Sequence, residues 1–326
     1  MTHSRLIYRV LTTAALGTFV ATIAIAQNYP SKPIRIIAAQ SAGGVTDALA
    51  RTFAQKFNEA WKQPVVVENR AGAGGAIGTE VVVKAAPDGY TLLLSSAGPI
   101  VINQSLYPAL GYDPLKTLVP ITFVAASPLV LVTHPSVPAK SVAELIALAK
   151  ARPGKLTYGS GGSGSPPHLT AELFKTAARV DITHIPFKGS APSVLALVGG
   201  QIDLSFSTVV ITLPQVQASR LRALAVTSPQ RSKALPWLPT MIEAGMPGFE
   251  SQQWFGLFGP AGLPPEIVAQ LNFEATRIVS SPEMRERLAT DGAEPGTLTQ
   301  REFGAFLQAD AVRWARVVKQ SGAKAE

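Results

Sequence analysis

Two glycine- and hydroxyl-rich stretches carry the residues best suited to hold a ligand. Gln40-Ser41-Ala42-Gly43-Gly44-Val45-Thr46-Asp47 lies between an apolar run and a helical pattern. Its glycines let the backbone approach a ligand with no Cβ in the way. The helix that follows would present unpaired N–H groups and the positive end of its dipole, a setting for an anion. Asp47 falls in the first turn, where capping the helix and touching a ligand are both open to it. Gly159-Ser160-Gly161-Gly162-Ser163-Gly164-Ser165 repeats the arrangement before a helix that starts near Pro167. Its N–H and O–H donors would line a concave, anion-binding turn. Two weaker candidates are Ala71-Gly72-Ala73-Gly74-Gly75-Ala76-Ile77-Gly78, which serves equally well as a tight strand-to-helix turn, and Ser95-Ser96-Ala97-Gly98-Pro99 with Asn103 downstream.

Signatures of catalysis and of cofactor binding are missing. Gly159, Gly161 and Gly164 spell G-x-G-x-x-G, but the acid of a dinucleotide site should end the next strand. Asp181 stands at that strand's start. No G-x-S-x-G elbow occurs, because Ser163 is followed by Ser165 where glycine is required. Lys188-Gly189-Ser190 inverts the Gly-Lys order of a phosphate-binding loop. His168 and Glu172 are four apart on one helix, yet two ligands are too few for a metal. His168 is open to donating to an anion, to capping and to core packing; His134 and His184 fall on strand patterns. With no cysteine in the chain, thiolate metal sites, disulfides and cysteine nucleophiles are excluded. No cofactor and no enzymatic activity are expected.

Strand-like runs alternate with helical ones, the pattern of an α/β fold. Strands are expected over 34–39, 65–68, 91–95, 156–158, 182–186, 202–206 and 224–227, with helices over 48–61, 77–84, 142–150, 168–178 and 193–198. Ser141 with Glu144, and Thr299 with Glu302, have capping-box spacing. Two apolar runs, 123–133 and 254–258, read as strands that cross from one lobe to another. The segments 265–280, 282–290 and 301–318 are helical with no strands of their own, so they should cover the first lobe. The expected division is a leader 1–26, a first lobe built from 27–125 and 253–326, and a second lobe 126–252. A cleft between two lobes is where ligands bind.

Residues 1–26 pair Arg5 and Arg9 with an apolar stretch ending in Ala24-Ile25-Ala26, the form of a secretory signal peptide cleaved between Ala26 and Gln27. An uncleaved anchor would need a longer run than about 16 residues. Without this leader 27 basic residues face 21 acidic ones, a net charge of +6. Those charges are scattered singly, so no nucleic acid is expected as a partner, and small anions are favoured. The chain is 47% hydrophobic and only 15% charged, which excludes intrinsic disorder.

Several motifs in one order carry a resemblance. Tyr29-Pro30-Ser31-Lys32-Pro33-Ile34-Arg35 is followed by Gly43-Gly44-Val45-Thr46-Asp47-Ala48-Leu49-Ala50-Arg51 and Val67-Glu68-Asn69-Arg70-Ala71-Gly72-Ala73-Gly74-Gly75. Pro87-Asp88-Gly89-Tyr90-Thr91-Leu92, the 158–165 loop with His168-Leu169, Pro186-Phe187-Lys188-Gly189-Ser190-Ala191-Pro192 and Gly199-Gly200-Gln201-Ile202-Asp203 complete the set. Over residues 28–320 the chain resembles the Bug family, periplasmic substrate-binding proteins of tripartite tricarboxylate transporters. The resemblance implies a two-lobed type II periplasmic binding protein fold with two crossing strands as its hinge. It also implies a periplasmic, monomeric receptor that closes on a small carboxylate and docks on a membrane permease. Carried over by position, Gly43, Gly44 and Asp47 belong to the first contact, and Ser96 and Asn103 to its neighbour; Gln40 and Ser41 of the same loop are expected to touch the ligand as well. Ser160, Gly161, Ser165 and His168 belong to the second lobe, with Phe187 and Asp203 as walls.

One departure is visible. The family's first loop has an aromatic and a proline ahead of Gly-Gly, whereas here Gln40-Ser41-Ala42 precedes Gly43. Gln40 offers hydrogen bonds in place of a flat apolar wall, which predicts a more polar ligand at that point. A receptor that signals to a membrane sensor would carry the same site, and a secreted hydrolase acting on an anion would need a nucleophile–base pair that the sequence does not show.

Overall fold

The computed structural model describes residues 29–107, 109–187, 189–290 and 292–323. The expected leader and its cleavage point lie outside them. Strands and helices alternate as the hydrophobic runs dictate. The first half comprises β1 (Ile34–Ala38), α1 (Val45–Trp61), β2 (Val65–Asn69), α2 (Ala76–Val83), β3 (Thr91–Ser96), α3 (Asn103–Leu106), α4 (Pro114–Thr117) and β4 (Leu118–Thr133). The middle holds α5 (Val142–Ala151), β5 (Thr157–Ser160), α6 (Pro166–Ala178), β6 (Thr183–Pro186), α7 (Ser190–Val198), β7 (Leu204–Thr208), α8 (Val209–Gln217) and β8 (Arg222–Val226). The chain ends with β9 (Gln252–Pro260), α9 (Pro265–Val279), α10 (Pro282–Thr290), β10 (Glu294–Pro295) and α11 (Gln300–Ser321).

One sheet runs through the molecule in the order β2-β1-β3-β9-β4-β7-β5-β6, with β8 and β10 also pairing with β4. β1 lies parallel to β2 and β3, and β5 lies parallel to β6 and β7. β1 is buried at every position except Arg35, as a central parallel strand must be. The sixteen residues of β4 join the two parallel groups: 118–128 pair with β9, and 129–133 pair with β7 and β8. The register with β9 slips just after Pro120, a residue with no N–H to give to a ladder.

Each parallel group has its own apolar core. Ile37, Leu93, Phe123 and Trp254 pack with Phe303, Leu307 and Trp314 of α11, so the C-terminal helix covers the first half as expected. Leu131, Tyr158, Phe174 and Phe206 form a second core, and Val130, Val194, Leu197 and Val226 a third on the other face. The chain returns from the middle region through a clasp of buried bonds. Thr227 Oγ1 donates to Ser251 O at 2.5 Å, and the Ser251 amide donates to Thr227 O at 3.0 Å just ahead of β9.

Two differences from the expected elements have local causes. α1 begins three residues early, because Gly44 caps a turn that β-branched Val45 and Thr46 do not advertise. α8 was not expected at all, since its Val-Val-Ile-Thr start reads as a strand and Pro214 lies inside it. The Thr299–Glu302 box is complete. At Ser141 only half of the box forms: Ser141 Oγ accepts from the Glu144 amide at 3.2 Å, but Glu144 Oε2 accepts from Lys140 instead.

Candidate ligand-binding site

Four strand-to-helix junctions open on one cavity of about 730 Å³. The β1–α1 loop contributes 40–44, the β2–α2 turn Gly72, Gly74 and Gly75, the β5–α6 loop Gly161 and 163–166, and the β6–α7 turn Gly189 and Ser190. These are the C-terminal ends of parallel strands, where ligands of open α/β sheets bind. Gly44, Gly75 and Gly189 are the N-caps of α1, α2 and α7, and none of the three helices receives a side-chain cap. Serine, threonine or aspartate would normally fill these places and occupy the first amides. At α1 and α7 glycine leaves those amides, and the positive dipole end behind them, directed at whatever enters; at α2 the Ala76 amide already donates to Ala73 O. Gly75 is at φ +90 with Pro99 and the Ala39 carbonyl so close that no Cβ fits.

Among the described residues no charged side chain lines the cavity. Its polar walls are Gln40, Ser41, Ser96, Asn103, Ser163, Ser165, Ser190, Tyr107 and Gln253, with Leu106, Pro99 and several alanines between them. Gln40 is fixed at both ends: Thr46 Oγ1 donates to its Oε1 at 2.6 Å and its Nε2 donates to Ser96 Oγ at 3.2 Å. Asn103 Nδ2 donates to Gly74 O at 3.1 Å and fastens the second turn. The described lining therefore offers an anion neutral dipoles.

Eight of the thirteen expected contacts line this cavity: Gln40, Ser41, Gly43, Gly44, Ser96, Asn103, Gly161 and Ser165. The other five stand behind it or away from it. Asp47 is buried, and its Oδ2 accepts from the Gly43 amide at 2.9 Å while Arg51 pairs with Oδ1 at 3.0 Å. The Gly43 amide holds its carboxyl below the usual carboxylate range, against the opposing effect of burial and with help from Arg51. With Arg51 neutralising it, this carboxylate braces the loop without repelling an anion. Ser160, only 1% exposed, bonds to both polar backbone atoms of Gly162, and its Oγ lies 2.7 Å from His184 Nε2. His168 is buried under the second loop and accepts the Gly164 amide. Phe187 packs against the Val130–Val194 core. Asp203 Oδ2 accepts from the Thr157 amide at 2.7 Å and its hydroxyl at 2.9 Å, at the opposite end of β5 from the loop.

Residues that the sequence did not single out also line the cavity. Gly189 and Ser190 entered as a phosphate loop in the wrong order and as part of a resemblance motif, not as site residues, although a glycine ahead of the apolar 190–198 helix marks another N-terminus. Tyr107 and Gln253 carry no sequence signal. No group of three or more metal-ligating side chains exists among the described residues, and none of their helices is long and apolar enough to cross a membrane.

Comparison with known proteins gives a consistent result. The family model described as "Tripartite tricarboxylate transporter family receptor" matches residues 49–323. The chain is 41% identical to the protein BugT of Bordetella pertussis, over 95% of this chain and 97% of that one. An R. palustris protein solved with adipate superimposes with a TM-score of 0.80 at 37% identity, covering 91% of this chain and 99% of that one. MatC from Rhodopseudomonas palustris, solved with bound malate, gives 0.76 at 31% identity, over 89% of this chain and 100% of that one.

Proposed function

The chain belongs to the tripartite tricarboxylate transporter receptor family, a family of receptors and not enzymes, and from that premise we propose that it captures a small carboxylate in the periplasm and hands it to a membrane permease. The observation that carries this reading is the meeting of four helix N-termini, three of them glycine-capped, around one cavity that no charged side chain lines among the described residues. A carboxylate supplies the acceptors that those amides require. Leu106, Pro99 and the alanines suit a short carbon skeleton between or beside the acid groups. The relatives solved with adipate and malate support the same ligand class. In this reading residues 27–125 with 253–326 form one lobe and 126–252 the other, and the monomeric protein closes by rotation about β4 and the 251–252 return. Residues 1–26 are removed after Ala26 on export.

The test is a thermal-shift screen of unfolded and refolded protein, free of carried-over ligand, against mono-, di- and tricarboxylates including adipate and malate. A ligand bound only by the folded state raises the melting temperature with its affinity and concentration. Stabilisation by at least one acid and by no amine or neutral sugar is expected; the reverse pattern overturns the reading.

A further inference from the structure

The second binding loop rests on two stacked imidazoles, and nothing in the proposed capture of a carboxylate uses them. His184 lies on β6 in register with Tyr158 of β5. His168 comes from the first turn of α6, three residues after the N-cap Ser165. Their ring centroids are 4.1 Å apart at an interplanar angle of 13°, and Tyr158 stacks on His184 at 4.7 Å. Each ring holds a different part of the loop. The Gly164 amide donates to His168 Nδ1 at 2.9 Å, and His184 Nε2 meets Ser160 Oγ at 2.7 Å. Ser160 in turn bonds to Gly162, and Ser165 Oγ donates to Gly162 O at 2.7 Å.

The Gly164 bond fixes a protonation state. Nδ1 can accept an N–H only when it carries no proton, so His168 must be the neutral tautomer with its proton on Nε2. A second proton would remove the acceptor, set an N–H against an N–H, and place a charge on a buried ring. It would also disfavour charge on His184, stacked against it. Among the described residues the charged groups nearby have partners of their own. Glu172, one turn further along α6, accepts from Tyr158 Oη at 2.5 Å and pairs with Lys175 at 2.8 Å. Burial, and then the bond to Glu172, push the Tyr158 phenol upward, so it remains a neutral donor. α11 also packs on α6, and its buried Asp310 is bound to Trp254 and Arg313. β7 presents only Ser205, Ser207 and Thr208 among its polar groups.

We propose that His168 and His184 are positioning residues for loop 160–165, and that carboxylate capture depends on pH through His168, whose acceptor for the Gly164 amide exists only while that ring is neutral, whereas His184 donates to Ser160 Oγ and stacks on the His168 ring. The inference rests on the reading of that loop as a carboxylate contact. Capture would be firm at neutral and alkaline pH and weaken with acidification, by up to tenfold per pH unit below the titration of His168.

The experiment measures adipate and malate affinity by calorimetry at pH 8.0, 7.0, 6.0 and 5.5 for the whole protein, His168→Asn and His184→Gln. Asparagine keeps an acceptor near the Nδ1 position and cannot titrate; glutamine keeps an N–H donor for Ser160 Oγ near the Nε2 position and cannot titrate either. The readout is each protein's ratio of affinities between pH 8.0 and 5.5, so that protonation of the acids themselves, common to all three, cancels. A ratio about tenfold larger for the unmodified protein than for His168→Asn is expected. A Gly164 amide resonance that moves and loses exchange protection over the same range, without ligand, is expected as well. Equal ratios in all three proteins, or a Gly164 amide insensitive to pH, overturn the proposal. If neither acid binds at pH 8.0, the carboxylate reading fails instead, and the Gly164 titration alone decides whether the imidazoles hold the loop.

Discussion

The Gly43 amide donates to Asp47 Oδ2 over 2.9 Å, so the first-turn carboxylate of α1 closes the loop that leads into its own helix. Sequence order makes this possible: four residues separate donor and acceptor, and Gly43 takes a φ of +82 to turn its N–H inward. Asp47→Ala should therefore loosen residues 40–44. It should cost about 1–2 kcal/mol of stability and weaken carboxylate binding about tenfold, read by denaturant titration and calorimetry. Asp47→Asn, which can still accept from Gly43, should recover most of the binding. The carboxyl is depressed in the folded state by the Gly43 amide and Arg51. Its contribution is thus complete above the ordinary carboxylate range and is lost only as pH falls through the lowered value. Between pH 5 and 8 Asp47 should add no pH dependence, which separates it from His168.

Gln40 occupies the place where the resemblance to the Bug family leads one to expect an aromatic, and its amide is already engaged by Thr46 and Ser96. Only its remaining donor and lone pair can serve a ligand, a smaller polar contribution than the residue type alone implied. Gln40→Phe should break both anchors and present an apolar face. The expected outcome is a changed ranking in the acid screen, with aromatic and long-chain acids gaining on hydroxylated ones such as malate. An unchanged ranking would show that this position does not set selectivity.

The parts of the cavity wall most directly legible in the sequence were its glycine turns. Glycines ahead of a helix pattern announce an N-terminus whatever the tertiary structure does, and Gly43, Gly44 and Gly161 were found on that basis. Side chains were harder to place, because a polar residue beside such a loop can face the ligand or support the loop from behind. Ser96 and Asn103 turned inward to the cavity; Ser160 and His168 turned beneath it. Asp203 was misplaced for a different reason, since the Gly-Gly-Gln-Ile-Asp run leads into β7 at the end remote from the helix N-termini. Gln253 and Tyr107 reach the cavity only through the pairing of β9 with β4 and the fold of the segment after β3, which no local pattern encodes. Among the elements, the apolar periodicity of α9, α10 and α11 predicted their bounds to within about three residues, while α8 was hidden by its β-branched start.

Two glycines on the cavity wall should respond oppositely to alanine. At Gly75 a Cβ would stand 2.4 Å from Pro99 Cγ and 2.9 Å from the Ala39 carbonyl, on a backbone at φ +90. Neither neighbour is a flexible chain end, so Gly75→Ala should cost about 2 kcal/mol or more through strain and overpacking. At Gly98 a Cβ meets nothing within 4 Å and the backbone is unstrained. Gly98→Ala should leave stability within about 0.5 kcal/mol and weaken only the bulkier acids, because its methyl group enters the cavity. Thermal unfolding and the acid screen, run on both variants, check the pair.

Two of the links between the middle region and the rest of the chain should differ in strength through burial. Lys233 and Glu294 pair at 2.7 Å, but Lys233 is 86% exposed, so Lys233→Ala should change stability by less than about 1 kcal/mol and less still in high salt. Thr227 is fully buried where β4 and the return to β9 come together. Its Oγ1 accepts from the Leu129 amide at 2.9 Å and donates to Ser251 O, while Ser251 Oγ is 2.5 Å from Thr170 Oγ1. Thr227→Val keeps the shape but leaves Leu129 N and Ser251 O short of a partner in a dry setting. A loss of about 1–3 kcal/mol is expected, seen as a fall in melting temperature of about 2–4 °C per kcal/mol. Because these bonds join the crossing strand to the returning chain, the same variant should also speed ligand release. Stopped-flow dissociation of adipate, faster in Thr227→Val and unchanged in Lys233→Ala, would place the hinge at the hydroxyl clasp; equal rates would remove it from there.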